Sequence, residues 1–209
     1  MSLSGMTPRR ILAKRRSLAQ LEHEMRRALP LKRLVFGEGD PDARLVIVGE
    51  APGKEEEALG RPFVGRAGQL LDQLLAEHSL KRQELWITNV VKWRPTEGEG
   101  SRLRTRAPRL SEVRMSQGWL ARELEIIGSS LVLCLGNVAT RALIDSHFQV
   151  SADHGRWHTG VFGAAALATF HPAYVLRQGK RVGQVLALVR QDLRKVKARY
   201  EELGQSVNR

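Results

Sequence analysis

Four apolar runs punctuate the chain: Arg44–Val48, Leu85–Val91, Leu131–Leu135 and Ala164–Phe170. Each is short and none alternates with polar residues, which predicts strands buried on both faces, as in a parallel sheet. Between them the apolar positions recur at helical spacing. Leu18, Leu21, Met25 and Leu29 form one face of an amphipathic segment over residues 9–29. Leu70, Leu71, Leu74 and Leu75 do the same from about Ala67. Ser111 is the expected N-cap of a helix running to about Ile127, and Gly136-Asn137 opens a short one. Val182, Val185, Leu186, Val189, Leu193, Val196 and Tyr200 mark the last helix. Strands alternating with helices predict an α/β fold, a three-layer α/β/α sandwich on a central, mainly parallel four-stranded sheet. Residues 92–110 break the rhythm. They hold Pro95, Pro108, Gly98 and Gly100 without periodicity, so a long loop is expected there, and long loops in compact domains are usually functional.

Composition narrows the function classes. A chain of 209 residues, 42% hydrophobic, can bury one core, so residues 1–209 are expected to form one domain. Lys and Arg number 34 against 22 Asp and Glu, a net charge of +12. Charge this lopsided marks a polyanion binder, with nucleic acid ahead of an anionic membrane surface. The excess gathers in the N-terminal helix (1–30) and in the 92–110 loop. No apolar run approaches the roughly 20 residues that span a bilayer, so no membrane association is expected. The basic N-terminus lacks the apolar stretch of a secretory signal. Cys134 is the sole cysteine, which excludes an intramolecular disulfide and fits a reducing, cytoplasmic setting.

Candidate chemistry sits where three of the runs end. The first leads into Gly49-Glu-Ala-Pro-Gly53, the second carries Asn89, and the last leads into His171-Pro-Ala-Tyr-Val-Leu176. A parallel sheet gathers such strand ends in one crevice, bringing together a carboxylate, an amide and an imidazole. Asn89 offers a donor and an acceptor, a pair suited to read a ligand edge that presents one of each. A strand-end Asn more often caps a turn. His171 is held extended by Pro172, placed to donate to an oxygen gaining negative charge, although a lone His before Pro is more often a loop or core residue. Glu50, in a Gly/Pro turn, is suited to position water, or is a surface carboxylate like its neighbours Glu55, Glu56 and Glu57. Phe63, in Gly60-Arg-Pro-Phe-Val-Gly65, is suited to stack on a base or to anchor its loop in the core.

Taken together these segments resemble the uracil-DNA glycosylase superfamily, most closely its family 4 and UdgX-like branches. The GE-x-PG, PFVG, ITNVVK-like and HP-x-x-VL motifs occur in order at Gly49–Gly53, Pro62–Gly65, Ile87–Lys92 and His171–Leu176, and the similarity spans roughly 35–195. The resemblance implies a monofunctional glycosylase that hydrolyses the N-glycosidic bond of uracil in DNA and leaves an abasic site. It implies a uracil site of Gly49, Ala51, Phe63, Asn89 and His171, with Glu50, Asn89 and His171 catalytic. It implies DNA contacts by Arg66, Arg102, Arg104, Arg106 and Arg109, and by Tyr174, Val175, Leu176 and Arg177, the loop filling the space left by a flipped nucleotide. Uracil-containing DNA is then the partner, and the protein a monomer.

The departures carry weight too. Family 4 members hold an iron–sulfur cluster on four cysteines, and such clusters need thiolates. The two ligand positions that align here are Trp93 and Ser116, and the N-terminal pair is replaced by the basic helix. No cofactor and no metal are expected. UdgX-like proteins carry a nucleophilic histidine in their basic loop, and Thr105 stands there in this chain. Two alternatives remain: a module that binds uracil or abasic DNA, or a covalent trap, with little turnover. A nucleotide-binding enzyme is disfavoured by the lack of a GxGxxG or GxxxxGK[ST] signature.

Overall fold

The structure, a computed structural model, describes residues 8–206. Its sheet contains β1 (Glu38–Gly39), β2 (Leu45–Gly49), β3 (Trp86–Asn89), β6 (Leu131–Leu135), β7 (Trp157–Thr159) and β8 (Ala165–Thr169), in the order β1-β3-β2-β6-β8-β7. The inner four are parallel and are the four apolar runs of the sequence. The sheet is six-stranded rather than four-stranded, because β1 and β7 add antiparallel edges. Those edges are two and three residues long and largely solvent-facing, too short to show a hydrophobic period.

Register establishes the layers. Thr88, Val48, Cys134 and Ala168 lie side by side, as do Asn89 and Gly49 on β3 and β2, and Leu135 and Thr169 on β6 and β8. Successive side chains on a strand point to opposite faces. Thr88 Oγ1 donates to Glu123 on α4 (Leu110–Ile127), while Thr169 Oγ1 donates to Asp192 on α8 (Val182–Ser206). Helices therefore cover both faces, and the sandwich has three layers. α1 (Pro8–Ala28) packs on α4, and α3 (Arg66–Glu77), α7 (Pro172–Leu176) and α8 pack on one another. No described helix is long and apolar enough to cross a membrane.

The 92–110 segment is not a plain loop. β4 (Thr96–Glu97) and β5 (Arg104–Thr105) pair as a small antiparallel hairpin. α4 begins two residues earlier than an N-cap at Ser111 would set it. Its N-cap is Arg109, whose backbone N–H donates to Glu112 at 2.7 Å. The remaining helices are α2 (Lys54–Leu59), α5 (Gly136–Leu143) and α6 (Val150–Asp153).

Candidate active site

The chain passes from β2 to β3 on one side and later to β6 on the other, so the order reverses beside β2. Open α/β sheets bind ligands at such a reversal, outside the carboxyl ends of their strands. Here a cleft of about 780 Å³ opens there, lined by Glu50, Ala51, Phe63, Asn89 and His171 among others. Gly49 lies beneath them. A β carbon on Gly49 would sit 2.4 Å from the Phe63 ring and 2.5 Å from Asn89 Oδ1. Glycine there lets the aromatic and the amide close over the strand end.

Asn89 is 2% exposed, and its Oδ1 has no hydrogen-bond partner among the described residues. A buried unpaired acceptor costs about 1–3 kcal/mol, a cost that a ligand donor relieves. The backbone around it is rigidly tied: Val90 and Val91 N–H donate to Gly49 and Glu50 carbonyls at 2.9 and 3.1 Å. The amide and the carboxylate thus sit on two strand ends sewn together.

His171 caps α7. Its Nδ1 accepts from Ala173 N–H at 3.1 Å, so in the neutral ring the proton is on Nε2. Burial, with a smaller push from Arg177, lowers the imidazole pKa to about 4. The ring is therefore neutral at physiological pH, with one N–H to donate. Glu50 is shifted the other way. Burial raises its carboxyl pKa, against the pull of Arg177.

Phe63 has a φ of +52°, a left-handed conformation rare for an aromatic residue. Two features hold it. A β carbon at Gly68 would lie 1.9 Å from the Phe63 carbonyl oxygen, so only glycine permits that approach. Glu56 accepts from Gly53 N–H at 3.0 Å, Val64 N–H at 3.1 Å and Gly65 N–H at 2.9 Å. This buried carboxylate joins the GEAPG turn to the PFVG loop. Sequence reasoning passed over it as one of three consecutive glutamates. Its place three residues after Gly53, at the start of α2, was the available signal.

The DNA-contact candidates divide. Tyr174, Arg106 and Arg177 line the cleft, and Tyr174 stacks on Phe170 with centroids 5.5 Å apart. Arg66, Arg102, Arg104, Arg109 and Leu176 are exposed outside it. Val175 is fully buried in the core and has no face toward a duplex, a correction to its expected role. Arg106 is also not a free cation. It forms a two-pronged pair with Glu112 at 2.6 and 3.0 Å and donates to the Thr96 carbonyl. Those bonds hold the Glu112 pKa down to about 2. Thr105 lines the cleft, and its Oγ1 accepts from Arg94 Nε at 2.6 Å.

The residues at the expected cluster positions do not fit an iron–sulfur group. Trp93 is buried, bridged to Leu34 with Lys32 over its ring, and Ser116 is buried on α4. Cys134 lies inside β6, its thiol pushed up to about 12 by burial. No group of three or more His, Cys, Asp or Glu among the described residues is arranged to hold a metal ion.

The family profile described as the uracil DNA glycosylase superfamily matches residues 36–195. The chain belongs to that superfamily. It is 36% identical over 172 residues to the type-4 uracil-DNA glycosylase of Thermotoga maritima, covering 82% of this chain and 85% of that protein. It is 39% identical over 152 residues to the type-4 uracil-DNA glycosylase of Archaeoglobus fulgidus, covering 68% and 71%. A type-5 uracil-DNA glycosylase of Thermus thermophilus is 30% identical over 173 residues, covering 73% and 74%.

Proposed function

We infer that this protein is a uracil-DNA glycosylase, hydrolysing the N-glycosidic bond of uracil in DNA and leaving an abasic site. The observation that carries the assignment of the site is the orphaned, buried Oδ1 of Asn89 in the cleft. It accepts the uracil N3–H while the amide N–H donates to O4. Cytosine offers a lone pair at N3 and an amine at C4, and would leave both partners mismatched. A base reaches this depth only when flipped out of the duplex. Phe63 supplies a face to stack on, and the exposed Tyr174 and Leu176 fill the vacated space.

As the C1′–N1 bond breaks, its electron pair passes to uracil and charge builds on O2. The neutral Nε2–H of His171 donates to that oxygen. Glu50 orients a water toward C1′, offsets the positive charge of the sugar and takes the water proton as the new C–O bond forms. Thr105 is not the nucleophile in this scheme. Its hydroxyl accepts from a guanidinium and makes no hydrogen bond to a carboxylate or imidazole among the described residues, which favours hydrolysis over a covalent trap. The protein acts as a monomer in the cytoplasm, without a cofactor.

The test is release of uracil from a labelled oligonucleotide, scored as alkali-labile cleavage on a denaturing gel. Wild type should cleave uracil-containing strands and spare their cytosine counterparts. Asn89→Ala should lose rate and uracil preference together. His171→Ala should slow the reaction about 10²–10³-fold, the usual cost of one oxyanion-type donor. An unaltered rate in both variants would reject the site.

A further inference from the structure

One buried cluster takes no part in the scheme above. Lys92 is 1% exposed and Glu123 3% exposed, and they form an ion pair inside the protein, on the α4 face of the sheet. A buried pair like this is weak evidence for stability, because desolvating two ions offsets most of their attraction. What the pair touches is more informative. The Lys92 ammonium spends all three protons locally: on Glu123, on Thr88 Oγ1 at 2.5 Å, and on the Asn89 carbonyl oxygen at 2.8 Å. Glu123 in turn accepts from Trp86 Nε1 at 3.0 Å and from Thr88 Oγ1 at 3.2 Å. The Lys92 ammonium, the Glu123 carboxylate, the Thr88 hydroxyl, the Trp86 indole N–H and the Asn89 carbonyl are all partnered, and Trp86, Thr88 and Asn89 are residues of β3.

We propose that Lys92 and Glu123 are positioning residues for uracil recognition: through the Asn89 carbonyl they fix the peptide that carries the base-reading amide. Asn89 ends β3, and its side chain points to the opposite face from Thr88. The next two N–H groups, of Val90 and Val91, donate to the Gly49 and Glu50 carbonyls at the end of β2. The Asn89 carbonyl is held by the Lys92 ammonium, so the peptide between Asn89 and Val90 is fixed at both of its polar atoms, the N–H by the Gly49 carbonyl and the C=O by Lys92. Recognition by two hydrogen bonds in a dry pocket needs that peptide placed to a fraction of an ångström. Glu123 reaches the strand because residue 37 is glycine. A β carbon there would lie 2.3 Å from Glu123 Oε1 and 2.4 Å from Trp86 Nε1.

This inference rests on the assignment of Asn89 made above, and a mutant cycle separates the two. The variant Lys92→Met with Glu123→Gln leaves no unpaired charge and keeps an acceptor for Trp86, while removing the donor to the Asn89 carbonyl. It should keep wild-type duplex affinity and a near-native Tm. Its single-turnover rate on uracil should fall about 10-fold, a coupling typical of residues in one network. Added to Asn89→Ala, the same pair of changes should slow the enzyme by less than about 2-fold. A folded double variant with wild-type rate, or an equal loss in the Asn89→Ala background, overturns the proposal. Should the double variant not fold, Thr88→Val removes one anchor of Lys92. It should give a smaller loss, about 3-fold, that also vanishes without Asn89, and a loss that persists there overturns the proposal as well. If Asn89→Ala alone leaves the rate intact, the reading of Asn89 is what fails.

Discussion

The two ionisable groups of the candidate site are shifted in opposite directions, and both shifts suit hydrolysis near neutral pH. Burial lowers His171 to about 4 and raises Glu50 above the usual carboxylate value. As pH falls, Glu50 is therefore the first to change state. Its protonation removes the water-positioning charge before His171 gains its second proton, so the acid limb of the rate profile should follow Glu50. Glu50→Gln should slow the enzyme and flatten that limb. The same shift has a stability sign. A carboxyl whose folded pKa is raised is disfavoured when ionised, so the penalty is present at pH 7 and gone below its unfolded value. Glu50→Gln should thus raise Tm at pH 7, the gain disappearing as the solution is acidified; a Tm at or below wild type would contradict it. Glu50, Asn89 and His171 were legible in the sequence because each lies at or within two residues of the end of an apolar run. Glu56, Lys92 and the burial of Val175 were not. Each depends on a partner from another element, or on which way a short helix turns.

At the scale of elements, the inner four strands and the major helices could be read from periodicity, since burial on one or two faces leaves a repeating mark. The edge strands and the β4–β5 hairpin could not, because two or three paired residues leave none. Trp93 belongs to this scale. It follows β3, is 2% exposed, and bridges Leu34 in the segment after α1. With no thiolate set to pin these elements together, the backbone bridge, the Val35 N–H bond to the Lys92 carbonyl at 2.6 Å and the packing of the Trp93 ring join them. Trp93→Ala should cost about 3–5 kcal/mol by leaving a large cavity, read as a drop in the denaturant midpoint. The wild-type protein should meanwhile be colourless, with no broad absorbance near 400 nm and no stoichiometric iron.

The net charge of +12 belongs to the whole molecule, and the structure shows which part of it is free to meet a polyanion. Of the four arginines between Ser101 and Arg109, Arg106 is tied to Glu112 and holds the hairpin against α4. Arg102, Arg104 and Arg109 are exposed, and no side-chain ion pair or hydrogen bond engages them among the described residues. Each phosphate neutralised on a duplex contributes about 0.9 to the slope of log affinity against log salt. Replacing these three with alanine should therefore weaken binding across all sequences and flatten the slope by up to about 2.7. Arg106→Ala should act differently, disturbing the hairpin and with it Thr105 at the cleft wall. Position 105 also decides the chemical outcome of binding. A hydroxyl that accepts from the Arg94 guanidinium and donates to no carboxylate or imidazole among the described residues is a poor nucleophile at neutral pH. Incubation of the wild-type protein with uracil-containing DNA should leave no SDS-resistant adduct. Thr105→His places an imidazole, nucleophilic without a base, at the same wall, and should trap some of the sugar if the wall lies within reach of C1′. A stable adduct with the wild-type protein would instead mean that a side chain, and not water, attacks the sugar.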